Sequence, residues 1–315
     1  MKKSFFVALL AAHILLYGCS SNNLTKDNPK NIPVNPSTPA ASSTKEIIRP
    51  GFTKETYPKI DGSTATIPLS EALASSILQI SKEEASKFIK HNTTHDAYVN
   101  LINGKADMIL VTEPSKEELA LAKDAKIELE VIPIVKEGFV FLVNTKNPVN
   151  SLTQNQIKAI YQGKIKSWKE VGGADEELIA YQRESNSGSQ TLMQQLVMKD
   201  TAMINSPKTI VYGMDGLIES IAKYDNSEKA LGYSVFYYAK TMYNRDTIKL
   251  IAVDGVFPEN KTIASGKYPY STCYYAVLNK KAPSEAPARK LLEWLLSKDG
   301  QKLAEASGYV PLEVK

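Results

Sequence analysis

Along residues 47–315, short apolar runs rich in β-branched and aromatic residues alternate with apolar positions at helical spacing. Residues 106–112, 127–133, 139–144, 247–253 and 274–279 have the length and composition of strands. Leu69, Leu73, Ile77 and Ile80 recur every three or four residues and predict a helix with one buried face, and Leu192, Leu196 and Val197 begin a second such stripe. Strands alternating with amphipathic helices predict α/β lobes. Two segments are placed to cross between lobes: 132–138, ahead of the strand at Phe139, and 238–246, ahead of the strand at Thr247. Two crossings make a hinge.

The N-terminal stretch follows neither period. Lys2 and Lys3 precede an apolar run from Phe5 to Leu16 that is too short to span a bilayer, and Gly18 is a small residue at a cleavage site, so residues 1–19 read as a secretory signal. Leu16-Tyr17-Gly18-Cys19 resembles a bacterial lipobox, with Tyr17 where a small or medium residue is usual; Cys19 is then the lipidated N-terminus that attaches the chain to a membrane. Residues 20–49 are rich in Asn, Ser, Thr, Pro and Lys, with almost nothing apolar to bury, and are expected to form a disordered tether. Cys273 is the only cysteine beyond the signal and tether, which excludes an intrachain disulfide in the folded part.

Composition narrows the class. The chain has 315 residues, 43% hydrophobic and 23% charged, enough for two lobes and without the long apolar segments of a multispan membrane protein. The formal net charge of +4 includes the two signal lysines, so the mature chain is only weakly basic and gives no support to nucleic-acid binding. A hydrolytic enzyme needs a nucleophile with its base, yet Ser187 lies in Asn-Ser-Gly-Ser-Gln, not in a Gly-x-Ser-x-Gly elbow. His91 and His95 flank a predicted turn and read as solvent-exposed polar residues, not as metal ligands. No cofactor and no metal is expected.

Three segments share one design, a turn carrying small hydroxyl residues that runs directly into a helix: residues 61–66, 92–96 and 183–191. The first N–H groups of a helix lack intrahelical partners and carry the positive end of the macrodipole, so an anion is stabilised there. Gly62 and Gly188 allow close backbone approach, and Ser63, Thr64, Thr94, Ser187 and Ser189 offer hydroxyl donors. Each segment alone also fits simple N-capping. Arg183 adds a planar fork matched to two oxygens of a phosphate-like group.

From about Tyr57 to Leu312 these residues resemble the substrate-binding protein of the phosphate-specific ABC importer, a type II periplasmic-binding fold. The resemblance is carried by Leu152-Thr153-Gln154-Asn155-Gln156-Ile157, by Ile160-Tyr161-Gln162-Gly163-Lys164-Ile165-Lys166-Ser167-Trp168, by Gly213-Met214-Asp215-Gly216, by Ala230-Leu231-Gly232-Tyr233-Ser234-Val235 and by Gly308-Tyr309-Val310-Pro311-Leu312. It implies a two-lobed α/β protein with a two-crossing hinge, lobe 1 holding residues 50–136 and 250–315 and lobe 2 residues 137–249. It further implies a monomer that binds inorganic phosphate or a related tetrahedral oxyanion and docks on an ABC permease outside the cytoplasm. A sensor or adhesin on the same fold is the alternative role.

Carried over position by position, the anion donors are Thr64, with Ser63 beside it, Thr94, and Arg183, Ser187, Gly188 and Ser189 of an Arg-x-x-x-Ser-Gly-Ser/Thr motif. In the family an Asp accepts the proton of hydrogen phosphate. At the corresponding place stands Thr112, with Glu113 one residue on, so the acceptor is Glu113 if it turns into the cleft, and otherwise Asp61 or Asp96. Strand alternation favours Thr112 as the inward residue.

Overall fold

One unbroken strand organises the fold. Where the sequence predicts two strands with a crossing segment between them, the chain forms a single sixteen-residue strand, Leu129–Asn144. The computed structural model describes residues 49–199, 201–223 and 227–313; the signal with Cys19, and the tether as far as residue 48, lie outside the described residues.

In chain order the strands are β1 (Ile60–Gly62), β2 (Met108–Val111), β3 (Leu129–Asn144), β4 (Ser151–Leu152), β5 (Ile179–Ala180), β6 (Gln182–Arg183), β7 (Ile210–Val211), β8 (Ala230–Val235), β9 (Ile248–Leu250), β10 (Ala252–Val253) and β11 (Ser271–Asn279). The helices are α1 (Ile67–Leu78), α2 (Lys82–Phe88), α3 (Thr93–Ile102), α4 (Lys116–Asp124), α5 (Gln154–Tyr161), α6 (Gly188–Leu192), α7 (Met214–Lys223), α8 (Asn260–Ala264), α9 (Pro287–Leu296) and α10 (Lys298–Ala306). The main sheet runs β1-β2-β11-β3-β8-β5, with β9 also on β3.

β3 belongs to both halves of that sheet. Its first part pairs antiparallel with β11, from Leu129 opposite Asn279 to Gly138 opposite Ser271. Its second part pairs with β8, from Phe139 opposite Val235, and with β9. Pro133 has no N–H for the ladder, and the register shifts beside it: Tyr274 faces Val135 and Tyr275 faces Pro133, leaving Ile134 as a bulge. The Ile134 carbonyl accepts from Gln301 Nε2 at 2.9 Å instead.

Segment 238–246 does not cross between halves as the sequence suggested. It joins β8 to β9, both paired with the second part of β3, and β10 then pairs with β4. The chain returns to the first half only between Val253 and β11, later than a boundary at residue 250. The boundary misled because 247–253 reads as one strand, whereas two short strands here serve different partners.

Alternation along β2 and β11 feeds two cores. Met108, Leu110, Ala276 and Leu278 face the main core with Leu69, Leu73 and Ile77 of α1, while Ile109, Val111 and Val277 meet Ala97, Tyr98 and Leu101 of α3 on the other face. Burying each such large apolar side chain stabilises the fold by roughly 1.5–3 kcal/mol. In the second half, Phe139, Phe141, Tyr161 and Tyr233 form a mutually edge-on or tilted aromatic group.

At the changeover on β3 lies Glu137, a buried carboxyl that accepts from Gly138 N at 2.8 Å and Tyr237 N at 3.2 Å. The Tyr237 ring stacks on Tyr309 at 3.8 Å, and its hydroxyl donates to Ser307 O at 2.9 Å. Glu137 thus ties the shared strand to the end of β8, and Tyr237 ties that end to the C-terminal segment. Burial pushes the Glu137 carboxyl up to about 8 from an ordinary 4.5. Between those values the folded chain holds a proton that the unfolded chain has released, so stability falls as pH rises through the window. Glu137→Gln removes that proton and should flatten the decline, by up to ~1.4 kcal/mol per pH unit. Urea unfolding at several pH values between about 5 and 8 checks this, and parallel declines in the two proteins would assign the slope to other groups.

Candidate functional site

The turn after β1 is fixed by a carboxylate and a histidine. Asp61 accepts from Gly62 N (2.7 Å), Asn92 N (2.7 Å), Asn92 Nδ2 (2.8 Å) and Asn100 Nδ2 (2.8 Å), so it holds both ends of α3 against β1. His91 is not a solvent-exposed bystander. It is largely buried, with Nδ1 2.9 Å from Ser63 O and Nε2 3.0 Å from Ser70 Oγ, and burial lowers its pKa and favours the neutral ring. A Cβ on Gly62 would lie 2.5 Å from Leu110 O and 2.8 Å from the His91 ring, so glycine is needed there for close approach. Ser63 N donates to Leu110 O at 3.0 Å, and Thr66 Oγ1 donates to the same oxygen at 2.7 Å. Ser63 and the half-buried Thr64 therefore sit beside the C-terminal end of β2, where open α/β sheets place ligands.

α3 begins beside them. Thr93 has φ 71°, a left-handed conformation that a β-branched residue rarely adopts, and it delivers Thr94 buried at the helix start. At the end of β2, Thr112 is 2% exposed, and its carbonyl accepts from Tyr98 OH at 2.8 Å. Glu113 Oε1 accepts from Tyr275 OH at 2.9 Å, so alternation brings Thr112, and not Glu113, to the side of Leu110. Asp96 is exposed on α3, and Asp61 is committed to its four N–H donors. None of the three carboxylates considered as a proton acceptor joins Thr112.

From the other half comes β6, running into α6. Arg183 N donates to Tyr233 OH at 2.9 Å and to Gln190 Oε1 at 3.2 Å, a buried knot closed by the Tyr233–Gln190 hydrogen bond. The Arg183 side chain is 5% exposed. Its Nε and Nη2 meet the Glu184 carboxylate at 3.0 and 2.9 Å, Nε also reaches Val211 O at 3.2 Å, and Nη1 donates to Ser189 Oγ at 3.3 Å. One edge of the guanidinium fork is thus occupied by Glu184, while the other points along α6 to Ser189. Ser187 caps the helix by accepting from Gln190 N at 3.2 Å, which leaves its hydroxyl proton free to donate. α6 continues without a break into a π-helical turn, Met193–Met198.

The two halves meet at Gly188. A Cβ there would lie 2.7 Å from Thr94 Oγ1 and 2.8 Å from Thr112 Oγ1, so both hydroxyls reach one point at the N-terminus of α6. Ser189 and, through it, Arg183 adjoin that point. Two further bonds span the junction: Asn186 Nδ2 to Glu117 Oε2 at 2.6 Å, and Gln195 Nε2 to Pro114 O at 3.0 Å. Asp61, His91, Asn186 and Gln195 act through long-range partners that no local motif announces. Collected at one place are backbone N–H groups, neutral hydroxyls and one paired guanidinium, a set that donates to a small anion.

Comparison with known proteins identifies the family and the fold. Residues 41–299 match the PBP superfamily domain. The phosphate-binding protein PstS of Staphylococcus saprophyticus is 29% identical over 269 residues, covering 82% of this chain and 81% of the relative. That of Bacillus subtilis is 25% identical over 264 residues and covers 80% of each. The crystal structure of a phosphate ABC transporter substrate-binding protein from Clostridium perfringens, with bound phosphate, superposes with a TM-score of 0.63 at 25% identity, covering 81% of this chain and 98% of the other. An ABC-type phosphate transport receptor from Vibrio cholerae has the same fold, with a TM-score of 0.61 at 22% identity over 80% of this chain and 98% of the receptor. With most of its length matched by the domain, the chain belongs to the PBP superfamily and has the type II periplasmic-binding fold expected from its sequence.

Proposed function

We propose that this chain is an extracytoplasmic lipoprotein that binds inorganic phosphate as a monomer and delivers it to an ABC importer. The observation that carries the proposal is the junction at Gly188, where Thr94 and Thr112 from one half meet the start of α6 from the other. Relatives named for phosphate binding, matched over four-fifths of their length, support the choice of ligand. The ligand-binding set is Ser63, Thr64, Thr94, Thr112, Arg183, Ser187, Gly188 and Ser189. Glu113, expected in the set on sequence grounds, is bonded to Tyr275 on the opposite face of β2 and is left out of it. The role is binding, not turnover, and the ligand leaves unchanged.

The two halves, residues 50–136 with the C-terminal segment and the residues between, act as lobes. Their closure brings α6 onto Thr94 and Thr112, and only then is the donor set complete, so the anion favours the closed state. The donors suffice in magnitude. Hydrogen bonds to a charged group contribute about 1.5–3 kcal/mol each, and micromolar affinity corresponds to about 8 kcal/mol. Closed lobes present one surface to the permease, and Cys19 holds the protein at the membrane.

Gly188→Ala tests the junction. Gly188 does not have the left-handed φ that favours glycine, and Ala is the better helix former, so the added methyl is opposed first by Thr94 and Thr112, whose hydroxyls it meets most closely. Calorimetry with phosphate should show at least a hundredfold loss of affinity with little change in melting temperature; unaltered affinity would remove the ligand from this junction. Arg183→Ala should weaken phosphate binding at least tenfold in the same measurement. Cys19→Ala should move the protein from the membrane fraction to the soluble fraction, whereas continued retention on membranes would reject the lipid anchor.

A further inference from the structure

Thr112 Oγ1 is buried and has no hydrogen-bond partner among the described residues, although its surroundings are polar. A buried hydroxyl left unpaired costs about 1–3 kcal/mol, so the group is expected to have a use. It faces the N-terminus of α6 together with Thr94, and its residue is 2% exposed.

Of the carboxylates nearest the junction in the chain, Asp96 is exposed on α3 and the others are engaged elsewhere. Asp61 accepts four N–H groups, and Glu113 is bonded to Tyr275 on the opposite face of β2. Glu117 accepts from Asn186, Glu118 from Ser115 N and His95, and Glu184 is bidentate on Arg183. The groups that meet at Gly188 are therefore the two threonine hydroxyls, which donate or accept, and the α6 amides, which donate.

That distinction governs which tetrahedral anion fits. Hydrogen phosphate carries one P–OH, whereas sulfate presents four oxygens that only accept. An ionised carboxylate has lone pairs and no proton, so it satisfies a P–OH and repels an S–O oxygen. A threonine hydroxyl turns either way, accepting from a P–OH or donating to an S–O oxygen.

We propose that Thr112 is the specificity-determining residue of this site and that its neutral hydroxyl makes the protein a binder of tetrahedral oxyanion dianions in general, sulfate as well as phosphate. The proposal rests on the oxyanion reading of the site given above and narrows it. Thr112 supplies one direct hydrogen bond to the anion and does not discriminate between a protonated and an unprotonated oxygen.

Calorimetry of the mature chain at neutral pH, with phosphate and sulfate separately and in competition, tests the idea. Dissociation constants within about tenfold of each other, with mutual displacement, are expected. Thr112→Val, which keeps the shape and removes the hydroxyl, should weaken both anions by similar factors of about ten. Thr112→Asp should retain phosphate and lose sulfate by at least a hundredfold, with folding checked by its melting curve. Phosphate binding with sulfate more than a hundredfold weaker in the unaltered protein overturns the proposal and leaves phosphate recognition standing. Equal anion affinities that do not change in Thr112→Val also overturn it, because the hydroxyl then makes no contact. If neither anion binds the unaltered protein, the oxyanion reading itself fails, and this inference with it.

Discussion

The absence of a side chain at residue 188 sets how closely the two halves of this molecule meet. With only a hydrogen where a Cβ would stand, the α6 backbone comes within reach of hydroxyls on Thr94 and Thr112. The surrounding contacts serve that approach from both sides. On one, Asp61 ties Asn92 and Asn100 to the end of β1, which fixes the start of α3 and with it Thr94. On the other, Tyr233 and Gln190 hold the backbone of Arg183, and Ser187 caps the helix that follows. A displacement of either support by an ångström would leave the hydroxyls and the amides addressing different points.

The electrostatics of the junction are milder than a lone buried arginine would make them. Arg183 is nearly inaccessible to solvent and shares its charge with Glu184, as a buried guanidinium requires. What faces Gly188 is neutral, the hydroxyls of two threonines, and the guanidinium reaches only as far as Ser189, the next residue of α6. Neutral, fixed dipoles can hold a doubly charged anion without the full desolvation cost of a bare cation in the empty site. They also place few demands on the protonation state of what they hold, which is why the identity of residue 112 matters more than the charge total.

Much of this was legible along the chain, and the failures have physical causes. The hydroxyl-bearing turns before α3 and α6 were visible because helix starts have a local vocabulary, and Gly188 within Ser-Gly-Ser announced close approach. The inward turn of Thr112 followed from alternation alone. By contrast, His91 was read as exposed because its partners, Ser63 O and Ser70 Oγ, lie twenty or more residues away and join it only once α1 packs on β1. Arg183 was recognisable as a donor, but not its pairing with Glu184, since adjacent side chains need a particular backbone geometry to meet. Residues 132–138, which include Pro133, were read as a crossing segment between two strands. The bulge at Ile134 instead absorbs the missing N–H, so the strand continues. The misplaced return of the chain arose from reading 247–253 as one strand when it feeds both β9 and β10.

The continuity of β3 has its own consequence for motion. A strand that pairs with β11 up to Gly138 and with β8 from Phe139 cannot let the two halves separate freely, because each half owns part of the same ladder. Relative movement is confined to the changeover, where Glu137 accepts the Gly138 and Tyr237 amides and Tyr237 stacks on Tyr309. There a change in twist would move α6 against α3. Burial raises the pKa of the carboxyl at that pivot and so favours its neutral form. Pivot and site are alike in that buried polar groups in both work as oriented donors and acceptors.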